Sequence, residues 1–241
     1  MPLSEIFPVD YADPDLGLSA SVRQLEALTA LAAAPQTGRE LEQLLAGLAD
    51  TITELTDYRS CLIILLSDES PYRRRILSRS SNIPAEYLER ADGLAYPRAD
   101  VERLIGCGVR IGVGALGFAS YFPPSHYHLL DEFGVVRFKA DVPRPLPDYG
   151  EAPWHEGDEL FVPLVTHEGE LVGLIALDDP RSGRAPDRRS VLPAVAFARQ
   201  TAQLIARQRD AERLAAQAER EALVNRITRA VRQSLDAEEV F

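Results

Sequence analysis

The sequence predicts an α+β fold in which an antiparallel β-sheet carries helices on one face and a long helix follows at the C-terminal end. Three observations support this fold class. Apolar residues recur at helical spacing before residue 56, and two pairs of adjacent apolar runs occupy residues 59–81 and 158–180. No glycine occurs after Gly183. Paired runs predict hairpins, and a long glycine-free stretch predicts a continuous helix.

The N-terminal part of the chain predicts an arm followed by two amphipathic helices. Residues 1–18 contain three prolines and several acidic residues, a composition typical of an extended arm. Residues 19–34 and 39–56 then place apolar side chains three or four positions apart, and the segment 35–38 contains the proline and glycine that separate them.

Two hairpins are predicted from the apolar runs. Residues 59–67 and 72–81 are expected to pair as antiparallel strands, because a short polar turn separates them. Residues 158–167 and 168–180 are expected to form the second hairpin, with Gly169 in its turn.

The middle of the chain, residues 82–153, has weaker patterns. It contains two short helical patterns, a glycine-containing stretch typical of one or two strands, a helix that begins with prolines, and a proline-rich loop. These lie at residues 84–91, 98–105, 108–122, 123–134 and 139–153 respectively.

Charge and composition narrow the class of partner. The formal net charge is −11, so no excess of positive charge would attract nucleic acid or an anionic membrane. No stretch approaches the roughly 18 apolar residues of a membrane span, and the first ten residues lack a signal-peptide pattern. Cys61 and Cys107 match no paired-cysteine motif. We therefore expect a cytoplasmic protein without nucleic-acid or membrane partners.

The second hairpin and its surroundings resemble a known family. The stretch WHEGDELFVPLVTHEGELVGLIALDDP (154–180), followed by FARQTAQLIARQ (197–208), resembles the last two strands and final helix of a GAF domain. LADTITELTDYRSCLIILLSD (48–68) is similar to the second helix and first strand of that family. The resemblance implies a PAS-related antiparallel sheet over residues 19–207, and a sensory or dimerising role in a bacterial signalling protein.

The C-terminal segment carries a second resemblance. ALVNRITRAVRQSLDAEEVF (222–241) is similar to the opening helix of another GAF domain. We therefore expect residues 208–241 to be a helical linker that leads into a downstream signalling domain of a longer protein.

A small-molecule pocket is expected in the middle segment and the second hairpin. Its candidate ligand-binding residues combine aromatic surface with a few polar atoms; they are Tyr121, Phe122, His126, His128 and Trp154. The alternative is that Trp154 and Phe122 only fill the core. The sequence does not identify the ligand or a cofactor.

Covalent bilin binding and metal binding are not expected. Residues 123–136 resemble the bilin-holding helix of phytochrome-type GAF domains, but Ser125 occupies the position where many of those domains carry the chromophore thiol before the histidine. Asp178 and Asp179 are neighbours in a strand and would point to opposite faces, so they are expected to serve a turn rather than a metal.

The sequence favours a non-enzymatic sensory domain that binds a small molecule, dimerises, or both, and signals through its last helix. A parallel homodimer is expected through the N-terminal and last helices, because Leu204, Ala211, Leu214 and Ala218 follow a seven-three-four spacing. One alternative is a purely structural dimerisation module without a ligand. A methionine sulfoxide reductase-like enzyme is a third reading, disfavoured because one of only two cysteines lies in a predicted core strand.

Overall fold

The computed structural model describes residues 47–67, 72–91, 94–136 and 151–238, together with Arg23, Glu26, Ala27 and Thr29, which are helical. The predicted arm at residues 1–18, most of the predicted first helix and most of the predicted loop at 139–153 lie outside the described residues.

The described elements follow the predicted order. The helices are α1 (Leu48–Leu55), α2 (Ala85–Ala91), α3 (Arg98–Cys107), α4 (Tyr127–Glu132) and α5 (Arg188–Glu238), with 3-10 turns at Gly114–Leu116 and Pro124–His126. The strands are β1 (Tyr58–Leu66), β2 (Tyr72–Arg79), β3 (Ala95–Tyr96), β4 (Val109–Gly112), β5 (Phe118–Phe122), β6 (Glu159–Val165) and β7 (Leu171–Pro180).

One antiparallel sheet of seven strands organises the described chain, in the order β3-β2-β1-β7-β6-β5-β4. The two predicted hairpins, β1–β2 and β6–β7, are confirmed. They join through the central β1–β7 pair, in which Cys61 lies opposite Leu177. Gly169 turns the second hairpin with a φ of 87°, a conformation that glycine adopts without steric cost. The predicted α+β class is therefore confirmed.

Helices cover both faces of the sheet. Successive strand residues point to opposite faces, so Cys61 and Ile63 pack in one buried cluster while Leu62 and Ile64 pack in another. The first cluster includes residues of α1 and α5, which form the helical layer that the sequence predicts on one face. The short helices α2, α3 and α4 supply the apolar residues of the opposite face, a second layer that the sequence analysis did not place.

The last helix has a buried part and an exposed part. From Val191 to Ile205 it contributes eight buried apolar residues to the core, and Pro193 lies within its first turns without ending it. The Arg209 guanidinium still reaches the domain, where it donates to the carbonyl of Leu66 at 2.7 Å. From position 210 to 228 every side chain is exposed. The helix therefore leaves the domain body after Arg209 without an interruption.

Candidate functional site

An apolar cavity of about 60 Å³ lies between the sheet and the short helices α2, α3 and α4. Its walls come from β1, β6, β7, α3 and the segment after α4. The principal apolar lining residues are Ile64, Leu66, Val101, Leu104, Phe133, Val135, Phe161, Leu174 and Ala176. This lining is typical of a site that recognises an apolar molecule. We call it the apolar cavity.

Two tyrosine hydroxyl groups fasten the chain beside this cavity. The Tyr87 hydroxyl donates to the carbonyl of Val136 at 2.7 Å, and the Tyr96 hydroxyl donates to the carbonyl of Gly134 at 3.4 Å. Both tyrosines line the cavity themselves. The segment after α4 is therefore held against α2 and β3 by two side-chain contacts.

Carboxylates supply the charge at the cavity. Asp100 and the buried Glu159 line it, and a smaller cavity of about 20 Å³ shares Glu159, Tyr87 and Ala176 and adds Asp178. An acidic lining favours a ligand with a cationic group or hydrogen-bond donors. Neither volume holds more than a few water molecules, so a larger ligand must displace lining side chains.

The two adjacent acids that end β7 occupy different environments. Asp178 lines the smaller cavity, and its Oδ1 accepts from the backbone N–H of Asp179 at 2.6 Å. Asp179 is fully buried, has a φ of 55°, and accepts from the Arg59 guanidinium at 3.3 Å. No cluster of three or more metal-ligating side chains occurs in the described ranges.

Tyr121 and Trp154, two of the five predicted ligand-binding residues, lie together on the α1–α5 side of the sheet. Their ring centroids are 5.7 Å apart, and the Tyr58 ring packs on the indole in a T-shaped arrangement at 6.3 Å. Both predicted residues are almost fully buried in the main core cluster. The indole N–H of Trp154 has no hydrogen-bond partner among the residues that the structure describes.

The other three predicted residues are divided between the opposite face and the surface. Phe122 is fully buried and packs on the Phe161 ring at 5.6 Å, so it lies behind the wall of the apolar cavity. His126 contacts Phe122 edge-on at 6.4 Å, whereas His128 is exposed. The structure thus pairs Tyr121 with Trp154 and Phe122 with His126, and it leaves His128 apart. The joint role of the five residues as one ligand site stays a prediction.

Asp158, which was not predicted from the sequence, links β5 to α4 through its side chain. Its buried carboxylate accepts from the Tyr121 hydroxyl at 2.6 Å, from the Tyr127 hydroxyl at 2.6 Å and from the His155 backbone N–H at 2.8 Å. Burial, reinforced by the hydrogen bond to Asp158, raises the pKa of Tyr121 well above its ordinary value. The signal in the sequence that could have identified Asp158 is an acidic residue just before an apolar strand.

The two cysteines are free and differ in environment. Cys61 is fully buried in β1, which confirms its predicted place in a core strand, and burial raises the pKa of its thiol. Cys107 ends α3 and is half-buried. Among the helices that the structure describes, none combines the length and the apolar character needed to cross a bilayer.

Comparison with known proteins gives matches only among solved structures. No protein-family model and no curated protein matches the chain. The GAF domain of a putative sensor histidine kinase from Pseudomonas syringae pv. tomato is 12% identical, with a TM-score of 0.49, over 86% of this chain and 98% of that chain. The GAF domain of an Acinetobacter phosphoenolpyruvate-protein phosphotransferase is 12% identical, with a TM-score of 0.48, over 78% and 93%.

A third similar structure is the phycoerythrobilin-bound GAF domain from a cyanobacterial phytochrome. It is 15% identical, with a TM-score of 0.48, and the match covers 80% of this chain and 99% of that chain. All three structures are GAF domains. GAF domains are also the family that residues 154–180 resemble.

Proposed function

We propose that this chain is a non-enzymatic sensory GAF domain that binds a small, mainly apolar molecule and passes the change through α5 to a downstream domain. One observation carries the proposal: the helix that closes the core beneath the sheet continues without a break into a long exposed segment. Movement of the sheet against α5 would therefore displace the exposed end.

The strands between the apolar cavity and α5 present one face to the cavity and the other face to α5. On β6, Phe161 lines the apolar cavity, whereas the neighbouring Val162 packs in the core cluster that contains α5. On β7, Leu174 and Ile175 repeat this division. Because these strands are close-packed on both sides, a ligand that pushes the cavity wall also pushes the surface against which α5 rests.

The ligand of this cavity is expected to be apolar with a cationic or hydrogen-bond-donating group. The support is the apolar lining together with Glu159, Asp100 and Asp178. Thermal denaturation of the full chain with small aromatic amines, and with their neutral hydrocarbon counterparts, tests this expectation. A ligand at about 100 times its Kd stabilises the folded state by about 2.7 kcal/mol.

A matched pair of variants locates the effect. Ala176→Leu fills the shared wall of both cavities and should abolish the stabilisation by amines, whereas Ala215→Leu, on the exposed helix, should leave it unchanged. Stabilisation of the wild type and of Ala176→Leu to the same extent would place the ligand elsewhere and contradict this assignment.

The exposed part of α5 is proposed to pair with a second copy of the chain. Leu204 packs in the domain core, so the predicted seam can begin only at Ala211. Leu223, Val224 and Ile227 are about half exposed and share one side of the helix. At about 100° per residue, Leu214 lies half a turn away from Leu223. The exposed helix therefore carries two lines of apolar residues, one through Ala211 and Leu214 and one through Leu223 and Ile227. We propose that the line through Leu223 and Ile227 forms the contact with the second copy.

Light scattering at tens of micromolar distinguishes the two lines. We expect the double variant Leu223→Glu, Ile227→Glu to be monomeric, because pairing would bring like charges together in an apolar seam. Leu214→Glu tests the line predicted from the sequence. Ala215 lies between the two apolar lines around the helix, so Ala215→Glu adds the same kind of charge outside both lines. This variant should remain dimeric. A monomeric wild type would refute dimerisation while leaving the ligand test intact.

A further inference from the structure

A third cavity lies where the hydrogen-bonded pairing between β5 and β6 stops. These strands pair only at Ser120–Phe161, Tyr121–Leu160 and Phe122–Glu159. Continuing the register by two residues would place Phe118 opposite Pro163, which has no N–H to donate. β6 nevertheless remains paired with β7 as far as Val165. Among the described strands, one edge of β6 is therefore left without a neighbour beside the start of β5.

The space beside this open edge is larger than the apolar cavity. It measures about 350 Å³ and is bounded by Phe118 at the start of β5, Val165 at the end of β6, and Val195 and Gln203 on α5. Small-molecule sites commonly measure roughly 300–1,000 Å³. We call this space the arginine groove, because Arg110 and Arg199 also line it.

Both arginines of the groove contact the domain, and neither has a carboxylate partner among the described residues. The Arg110 guanidinium lies 3.7 Å from the centroid of the Phe118 ring, and Arg199 donates one hydrogen bond to the carbonyl of Ala115. Neither forms an ion pair within the described part of the chain, whereas Arg103 is paired with Glu132. In a chain with a net charge of −11, two arginines that form no ion pair with a described residue give this cavity a positive charge.

The groove also offers neutral donors and apolar surface. The half-buried amide of Gln203 makes no hydrogen bond within the described residues, so its N–H groups are available. Thr166 and His167 line the same space, with His167 exposed. Leu116 and Val195 form an apolar part of the wall.

We propose that the arginine groove binds a small organic anion, a carboxylate or phosphate attached to an apolar group. Arginine N–H groups form two parallel hydrogen bonds with carboxylate and phosphate oxygens, and the contact with the Phe118 ring positions the Arg110 guanidinium in advance. The Gln203 amide supplies a further donor, and Val195 contacts the apolar part of the ligand. This site is separate from the apolar cavity, and its binding does not depend on the proposed signalling role.

Calorimetry on the full chain tests the proposal with three probes of similar size: 3-phenylpropionate, phenyl phosphate and the neutral 3-phenylpropanamide. We expect at least one anion to bind. The amide should bind at least about tenfold more weakly than that anion. The two anions distinguish a carboxylate site from a phosphate site. Arg110→Gln and Arg199→Gln should each weaken anion binding by about tenfold.

Arg213→Gln is the matched control, because Arg213 is an exposed arginine of α5 beyond the domain body, close to Asp210 at 3.6 Å. Its Kd for the anion should equal that of the wild type, and circular dichroism should show that all variants are folded. The proposal is overturned if neither anion binds at millimolar concentration, if the amide binds equally well, or if the double variant Arg110→Gln, Arg199→Gln keeps the wild-type Kd.

Discussion

Removal of the Asp158 carboxylate should strongly destabilise the fold. The residue is 1% exposed, so its carboxylate is stabilised by the hydrogen bonds that it accepts rather than by water. Two of these come from the Tyr121 and Tyr127 hydroxyls, each at 2.6 Å, and one from the His155 backbone N–H at 2.8 Å. In Asp158→Ala all three donors lose this acceptor.

The size of the destabilisation depends on whether each donor has another acceptor in Asp158→Ala. The Tyr121 hydroxyl is buried, and Asp158 is its acceptor, so leaving it unpaired costs about 1–3 kcal/mol. The Tyr127 hydroxyl is also 3.0 Å from the carbonyl of Glu156, so its loss is smaller. With the His155 N–H and the lost side-chain volume, we expect Asp158→Ala to lower the free energy of unfolding by about 3–5 kcal/mol.

Urea denaturation followed by fluorescence provides the measurement, because Trp154 is the single tryptophan of the chain and is buried between Tyr121 and Tyr58. Tyr121→Phe should cost about 1.5–3 kcal/mol, and Tyr127→Phe less, since a hydrogen bond to a charged group contributes about that much. A loss below about 1 kcal/mol in Asp158→Ala, or a larger loss in Tyr127→Phe than in Tyr121→Phe, would refute this reasoning.

Three further outcomes are expected. The pKa of Tyr121 is raised above its ordinary value of 10.0, so the folded state holds the phenol proton more tightly than the unfolded state does. This contribution to stability is complete below pH 10 and falls as pH rises above 10. In alkaline urea titrations, the difference in stability between the wild type and Tyr121→Phe should therefore narrow. Gly173→Ala should destabilise the protein by more than about 2 kcal/mol in the same assay, because a Cβ there would lie 2.3 Å from the carbonyl oxygen of Ile64, whereas Gly112→Ala, with no atom within 4 Å, should cost less than about 1 kcal/mol. A thiol reagent at neutral pH should label the half-buried Cys107 but not Cys61 until urea unfolds the chain, since burial keeps the Cys61 thiol protonated and inaccessible; equal labelling rates in the native protein would contradict this.

The sheet could be predicted from sequence because its hairpins are encoded locally. The strand found at Glu159–Val165 lies inside the predicted run 158–167, since an apolar stretch between a polar entry and Gly169 has few alternative structures. The short helices of the middle segment were also predicted as elements. Their position on the second face was not, because it depends on contacts with distant strands rather than on local pattern.

The pocket could not be assembled from residue types alone. Tyr121 and Phe122 are consecutive in β5 and therefore point to opposite faces, a separation that residue type alone does not predict. The same alternation was the reason for separating Asp178 from Asp179 in the sequence. Glu159 was missed because a charged residue at the start of an apolar strand is usually a solvated boundary, and only the tertiary structure buries it.

One strand, β6, contributes residues to both proposed ligand sites and to the core against which α5 packs. Phe161 lines the apolar cavity, Val162 and Leu164 pack in the core cluster shared with α5, and Val165 borders the arginine groove. A shift of β6 that suits a ligand at one site therefore alters the other site and the seat of α5 together. Because binding free energies are linked reciprocally, an amine in the apolar cavity and an anion in the arginine groove should change each other's affinity by the same factor. The groove also contacts α5 directly through Arg199 and Gln203, so its ligand can bias the helix even when the apolar cavity is filled by Ala176→Leu.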